Sequence, residues 1–165
     1  MQVKCTAKAA LTLLLPFIYL QDMYITMATR MKHPPDFKVS YCFYDIEKGC
    51  RQGPPRQGYR SDFWYGDADH KDSGQVFMIW PEFEDLNGQL IEDNSITLPA
   101  SGTANMWIIS PAMRSYHKDK IKVGLPGFFM EGTIRVAECS VVEIIGLMIN
   151  PRVPVHLNKK YYSQS

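Results

Sequence analysis

Three features of the sequence predict an all-β fold. Residues Phe37-Lys38-Val39-Ser40-Tyr41-Cys42-Phe43 alternate, with aromatic and β-branched side chains on one face and Lys, Ser and Cys on the other. That is the period of a half-buried strand. Gly and Pro, eleven of each, are spread along the chain, which suits short strands joined by turns. Outside the N-terminal 35 residues, no helical period runs longer than about three turns. Strand-like runs at this spacing argue an antiparallel sandwich or barrel. At 165 residues, one domain with its own core is expected. The 45% hydrophobic fraction places the chain among globular rather than disordered sequences.

The elements follow in order. Pro34-Pro35 keeps any helix from running into the first strand, 37–44. The irregular loop Lys48–Gln57, rich in Gly, Pro and Arg, leads to a second strand over Tyr59–Tyr65. Residues 66–74 are polar and read as a turn. Gln75–Trp80 is a third strand, expected to stop at Pro81. Asn87-Gly88 is a two-residue hairpin signal. Ser95–Leu98, Ala104–Ile109, Ile121–Val123, Gly127–Met130, Thr133–Ala137 and Ser140–Ile145 complete the strand pattern, and residues 147–165 read as an extended basic tail.

Charge is divided unevenly. Residues 36–146 carry 11 Lys/Arg against 16 Asp/Glu, whereas the flanks carry 7 against 1. An acidic core argues against nonspecific nucleic-acid binding by that core, because phosphate contacts require local positive charge. Cys5, Cys42, Cys50 and Cys139 form no Cys-x-x-Cys pair, so a zinc site is not expected. A Cys42–Cys50 disulfide would require an oxidising compartment.

The first 35 residues admit three readings. Lys4 and Lys8 precede the apolar run Ala9–Leu20, which has the length of a signal-peptide apolar region and is too short to span a bilayer. The segment could also be a helix that docks on the body. It could equally lie upstream of a true start at Met23, Met27 or Met31. No membrane span is expected; the location expected is cytoplasmic, with export through the apolar segment as the alternative.

Four blocks in order carry a family resemblance. They are the aromatic strand ending at Tyr44 with Glu47-Lys48-Gly49-Cys50-Arg51, then Gly58-Tyr59-Arg60-Ser61-Asp62-Phe63, then Ile108-Ile109-Ser110-Pro111-Ala112-Met113, and last Glu131-Gly132-Thr133-Ile134-Arg135-Val136-Ala137-Glu138-Cys139-Ser140-Val141-Val142. Together the blocks resemble the C-terminal β-barrel domain of translation elongation factor Tu, over residues 37–146. The resemblance implies a six- or seven-stranded antiparallel barrel at 36–146, standing alone between an N-terminal extension (1–35) and a C-terminal tail (147–165). It also implies function through surfaces, including contact with the T-arm of tRNA. Carried over position by position, Arg51, Glu131 and Gly132 would inherit that contact. The departures cut against it: Asp62 stands where the family has a neutral Gln, and Met130 where it has Arg, each less favourable toward phosphate. The chain contains no Gly-x-x-x-x-Gly-Lys-Ser/Thr loop, so nucleotide binding of the P-loop kind is not expected.

Direct chemistry is sparse. Asp67-Ala68-Asp69-His70-Lys71-Asp72 offers cation ligands but lacks the order of a calcium loop and reads as a solvated turn. Cys139 with His117 has no recognisable nucleophile spacing. No enzyme, cofactor or metal is therefore expected. Arg51, Arg56 and Arg60 share one loop with Tyr59 and the aromatics Phe63–Tyr65. Either they are a recognition patch for carboxylates or phosphates, or Arg60 pairs with a core carboxylate and the aromatics fill the barrel. Together with Glu131 and Gly132, the three arginines form the candidate contact set. A protein partner is the leading expectation, and tRNA the alternative.

Overall fold

The computed structural model of the chain describes residues 27–45, 53, 55–66 and 74–152. Among these, six strands form one curled antiparallel sheet. They are β1 (Phe37–Phe43), β2 (Asp62–Trp64), β3 (Ile79–Phe83), β4 (Ser101–Ile108), β5 (Pro126–Glu131) and β6 (Ile134–Ile144). The order across the sheet is β2-β5-β6-β1-β4-β3. Its two edges meet where the Phe63 and Phe77 backbones exchange hydrogen bonds of 2.8 Å, so the sheet curls into a barrel-like form. The all-β antiparallel reading holds.

The inward face is aromatic. Phe37, Tyr41, Phe63, Phe83 and Phe129 are buried together, with Tyr41–Phe83 and Phe37–Phe63 in edge-to-face contact. That is the favoured arrangement for ring pairs. Gly127 leaves room for Phe63: a Cβ there would fall within 2.7 Å of Phe63 Cε2.

Four stretches differ from the sequence expectation. β3 runs through Pro81 instead of stopping before it. Met78 and Glu84 hydrogen-bond β4, so the positions of even number face β4 along this pair. Pro81 is odd, its nitrogen faces away from β4, and the ladder loses no donor. Residues 134–144 form a single strand where two were expected. It skips register at Val136 against β5 and at Val142 against β1, two bulges that let one long strand bend around the barrel. Residues 114–120 form a short helix, α2 (Arg114–Lys120), and residues 121–123, expected as a strand, lie in the turn that follows it. Ser95–Leu98, also expected as a strand, contributes only the Arg56–Thr97 bridge.

A second helix, α1 (Met27–Met31), packs outside β3. Met27 is fully buried, and its amide donates to the carboxylate of Glu82. Near the other end of the sheet, Asp36 and Arg114, 0% and 1% exposed, form a 2.9 Å ion pair. Asp36 also accepts from Ile108 N and Asn150 Nδ2, and Arg114 donates to the Ile108 and Pro151 carbonyls. This knot ties the chain before β1 and the chain after β6 to α2. Leu147 and Asn150 are accordingly buried, so packing continues past Gly146.

Candidate binding face

Strand direction gathers one set of loops at one end of the barrel. β1 ends at Phe43 beside Ala137, β3 ends at Phe83 beside Ala104, β2 begins at Asp62 beside Met130, and the β5–β6 turn follows Glu131. The chain leading into β2, the 84–100 connection and the 131–133 turn therefore share this end.

Gln57 joins two of these loops. Its side chain is buried; Nε2 donates to the Phe83 and Ile91 carbonyls at 3.0 and 2.7 Å, and Oε1 accepts from Phe83 N at 3.0 Å. A primary amide presents donor and acceptor side by side, so it can pair with a backbone as a neighbouring strand would. Leu98 N donates to Pro55 O at 2.9 Å, and Arg56 bridges Thr97, closing the same seam from the other side.

Two carboxylate-braced turns stand on this base. Asp85 Oδ1 accepts from Asn87 N at 2.8 Å and from Gln89 N at 2.9 Å, with Gly88 at φ +73 completing the turn. Asp93 Oδ1 accepts from Ser95 N at 2.8 Å and from Ser95 Oγ at 2.6 Å. Both are Asx turns, in which a side chain substitutes for backbone pairing. The Gln89 and Asn87 amides hold the Asp85 carboxyl below its usual range, and the Ser95 hydroxyl and amide do the same for Asp93. Each turn carries an aliphatic side chain outward: Leu86 is 95% exposed and Ile96 50%. Residues 84–98 contain four acids and no Lys or Arg. Of the four, Glu84 is buried and serves the fold, accepting from Lys38, Thr103 and Asn105.

The residues singled out by sequence separate into different settings. Arg51 lies outside the described residues, as do Cys50 and the Asp67–Asp72 run. Arg56 is exposed at the loop end. Arg60 is turned onto the barrel seam: its guanidinium lies 5.4 Å from the Trp80 ring and donates to Pro81 O at 3.4 Å. Arg30 of α1 approaches the same ring at 6.0 Å. Glu131, exposed, accepts a 2.6 Å hydrogen bond from Tyr59 OH, linking the β5–β6 turn to the chain entering β2. Gly132 sits at φ +59 in that turn. The structure thus brings Arg56, Glu131 and Gly132 to one end and lays Arg60, also exposed, over Trp80 at the seam.

Beside this end a groove of about 470 Å³ is lined by Trp64, Val76, Met130, Thr133 and Arg135. The Arg135 guanidinium stacks on Trp64 and Phe128 at 4.4 and 4.6 Å. The β6 bulge at Val136 sets Arg135 opposite Met130 and so over these rings.

The nucleophile and base weighed from sequence are engaged elsewhere. Burial pushes the Cys139 thiol well above its ordinary range, and His117 Nδ1 pairs with Tyr65 OH at 2.7 Å within an aromatic cage of Phe77 and Tyr116. Among the described residues no cluster of three or more His, Cys, Asp or Glu has metal-ligating geometry.

The fold and this face together define an antiparallel β-barrel whose loop end is braced and acidic, with apolar side chains projecting from it. Compared with known proteins, the chain matches no family model and no curated protein sequence.

Leu86 and Gln57 were not picked out by sequence reasoning. Leu86 carried a usable signal, since it stands between Asp85 and the Asn87-Gly88 turn, where a side chain has no strand face to bury it. Gln57 carried none: its backbone partners lie 26 and 34 residues away.

Proposed function

We propose that the chain is a non-catalytic β-barrel binding module that engages a protein partner through the loop end of the barrel. The observation that carries this reading is the rigidity of that end. Gln57, Asp85 and Asp93 fix the 84–98 connection, so a partner meets a preformed surface and little ordering entropy is lost on binding. The acidic composition of 84–98 favours a protein over tRNA, whose phosphates would be repelled. The sequence resemblance to the C-terminal domain of elongation factor Tu, a domain that works through its surfaces, supports the same reading.

Affinity capture at moderate salt, followed by hydrogen exchange of the complex, tests it. The expected result is a stoichiometric protein partner and slowed exchange at residues 84–98 and 131–133. A monomer that captures no protein would count against the proposal. So would retention of tRNA that falls steeply with salt and weakens in Arg51→Ala.

A further inference from the structure

Leu86 adds almost no buried surface to the fold. Its side chain is 95% exposed, whereas Leu98 in the same connection is buried against the core. Single exposed aliphatics are ordinary on protein surfaces. Leu86 differs in being held out. Asp85 fixes the turn around it through three hydrogen bonds: the side chain accepts from Asn87 and Gln89, and the carbonyl from Gly88. The backbone pair Asp85 N to Gln89 O, 2.7 Å, closes the base. These bonds fix the backbone of the turn that carries Leu86. Ile96 is carried outward from the neighbouring braced turn of the same connection.

The exposed charge within the connection is acidic; Glu84 is paired with Lys38, and Arg56 reaches Thr97 from the facing chain. Residues 84–98 hold Glu84, Asp85, Glu92 and Asp93 with no basic residue among them. Hydrogen bonding holds the Asp85 and Asp93 carboxyls below their usual range.

We infer that the 84–98 connection is the specificity element of the loop end. Leu86 is the anchor that enters an apolar socket on a partner protein, and Lys or Arg around that socket meets Asp85, Glu92 and Asp93. This inference rests on the binding-module reading and names the chemistry of its partner. An apolar anchor with a charged rim is the usual division of labour at a protein interface: the buried centre supplies affinity and the rim supplies steering and register.

A photo-crosslinking amino acid placed singly at 56, 86, 96, 123 and 131, in the full chain and in the cells that make it, tests this. Val123 is 63% exposed in the turn after α2 and serves as the control for the opposite end. The expected result is one protein cross-linked from 86 and 96 but not from 123, through a peptide in which Lys or Arg flanks apolar residues. Leu86→Asp should lower recovery of that protein about tenfold or more, the scale of an interface hot spot. Its thermal melt should match that of the parent, since the side chain lies outside the core.

Cross-links from 56 or 131 with none from 86 or 96 would overturn the anchor and leave the binding face standing. Cross-links from none of the loop-end positions would overturn both. A captured peptide without basic residues, a cross-link to RNA or to a second copy of the chain, or unchanged recovery with Leu86→Asp would also overturn the inference.

Discussion

Replacing Arg114 with Met strikes the buried knot that ties the segments before β1 and after β6 to α2. Asp36, with no solvent exposure, would lose its donors at 2.9 and 3.4 Å and keep only Ile108 N and Asn150 Nδ2. A buried charge left without its partner costs about 3–5 kcal/mol. The Ile108 carbonyl, which accepts from Arg114 at 3.0 Å, would add on the order of 1 kcal/mol when orphaned. Against a domain stability of about 5–15 kcal/mol, the variant should lose about a quarter of its stability or more. Its melting temperature should fall by on the order of 10 °C. Urea unfolding read by tryptophan fluorescence suits the measurement, because Trp107 lies 5.4 Å from the His33 ring beside the knot. Adding Asp36→Asn to the same variant removes the stranded charge and should recover about 1–2 kcal/mol. A single-variant loss below about 1 kcal/mol, or a double variant no more stable than the single, would refute the assignment of Asp36–Arg114 as a mutually dependent buried pair.

Three further perturbations probe the barrel. Desolvation raises the Glu82 carboxyl above its ordinary value, against smaller lowering contributions from the Met27 amide, Arg60 and Trp107. The folded chain therefore holds this proton more tightly than the unfolded chain, and the group's contribution to stability declines as pH rises between the two values. Glu82→Gln should thus gain on the parent in thermal melts at neutral pH relative to pH near 4; the opposite trend would reject the sign. Gly127→Ala forces a methyl against the Phe63 ring and should cost about 1–3 kcal/mol in denaturant unfolding, whereas a neutral result would mean the ring can yield. Gly132→Ala has open space but a φ of +59, so it should cost about 1 kcal/mol, with Gly132→Asn milder. Equal losses from Ala and Asn would show that backbone conformation is not the cause.

Local chemistry made much of the barrel legible. The alternation at 37–43, the turn at Glu131-Gly132 and a turn at Asn87-Gly88 are decided by residues within reach of one another and appear where the sequence placed them, although the last is a three-residue loop, Leu86–Gly88, rather than a two-residue hairpin. Errors arose where a neighbouring strand sets the rule. Pro81 is tolerated because its nitrogen faces away from β4, and residues 134–144 form one strand because bulges let β6 serve both β5 and β1. Neither partner is visible in a linear reading.

The candidate face divides in the same way. Composition alone showed that the core is acidic and that 84–98 has no basic residue. Only tertiary structure separated Arg56 from Arg60, although both belong to the same Arg-rich loop. It laid Arg60, itself exposed, over Trp80 at the seam, bridged Arg56 to Thr97 at the loop end, and paired Glu131 with Tyr59 across 72 residues of sequence. The sequence determined the all-β class, the alternating first strand and the sign of the charge, because those depend on side-chain type and near neighbours. Which arginine supports the wall, and which leucine stands clear of it, was decided by the curl of the sheet, because that curl brings distant backbone and rings into contact.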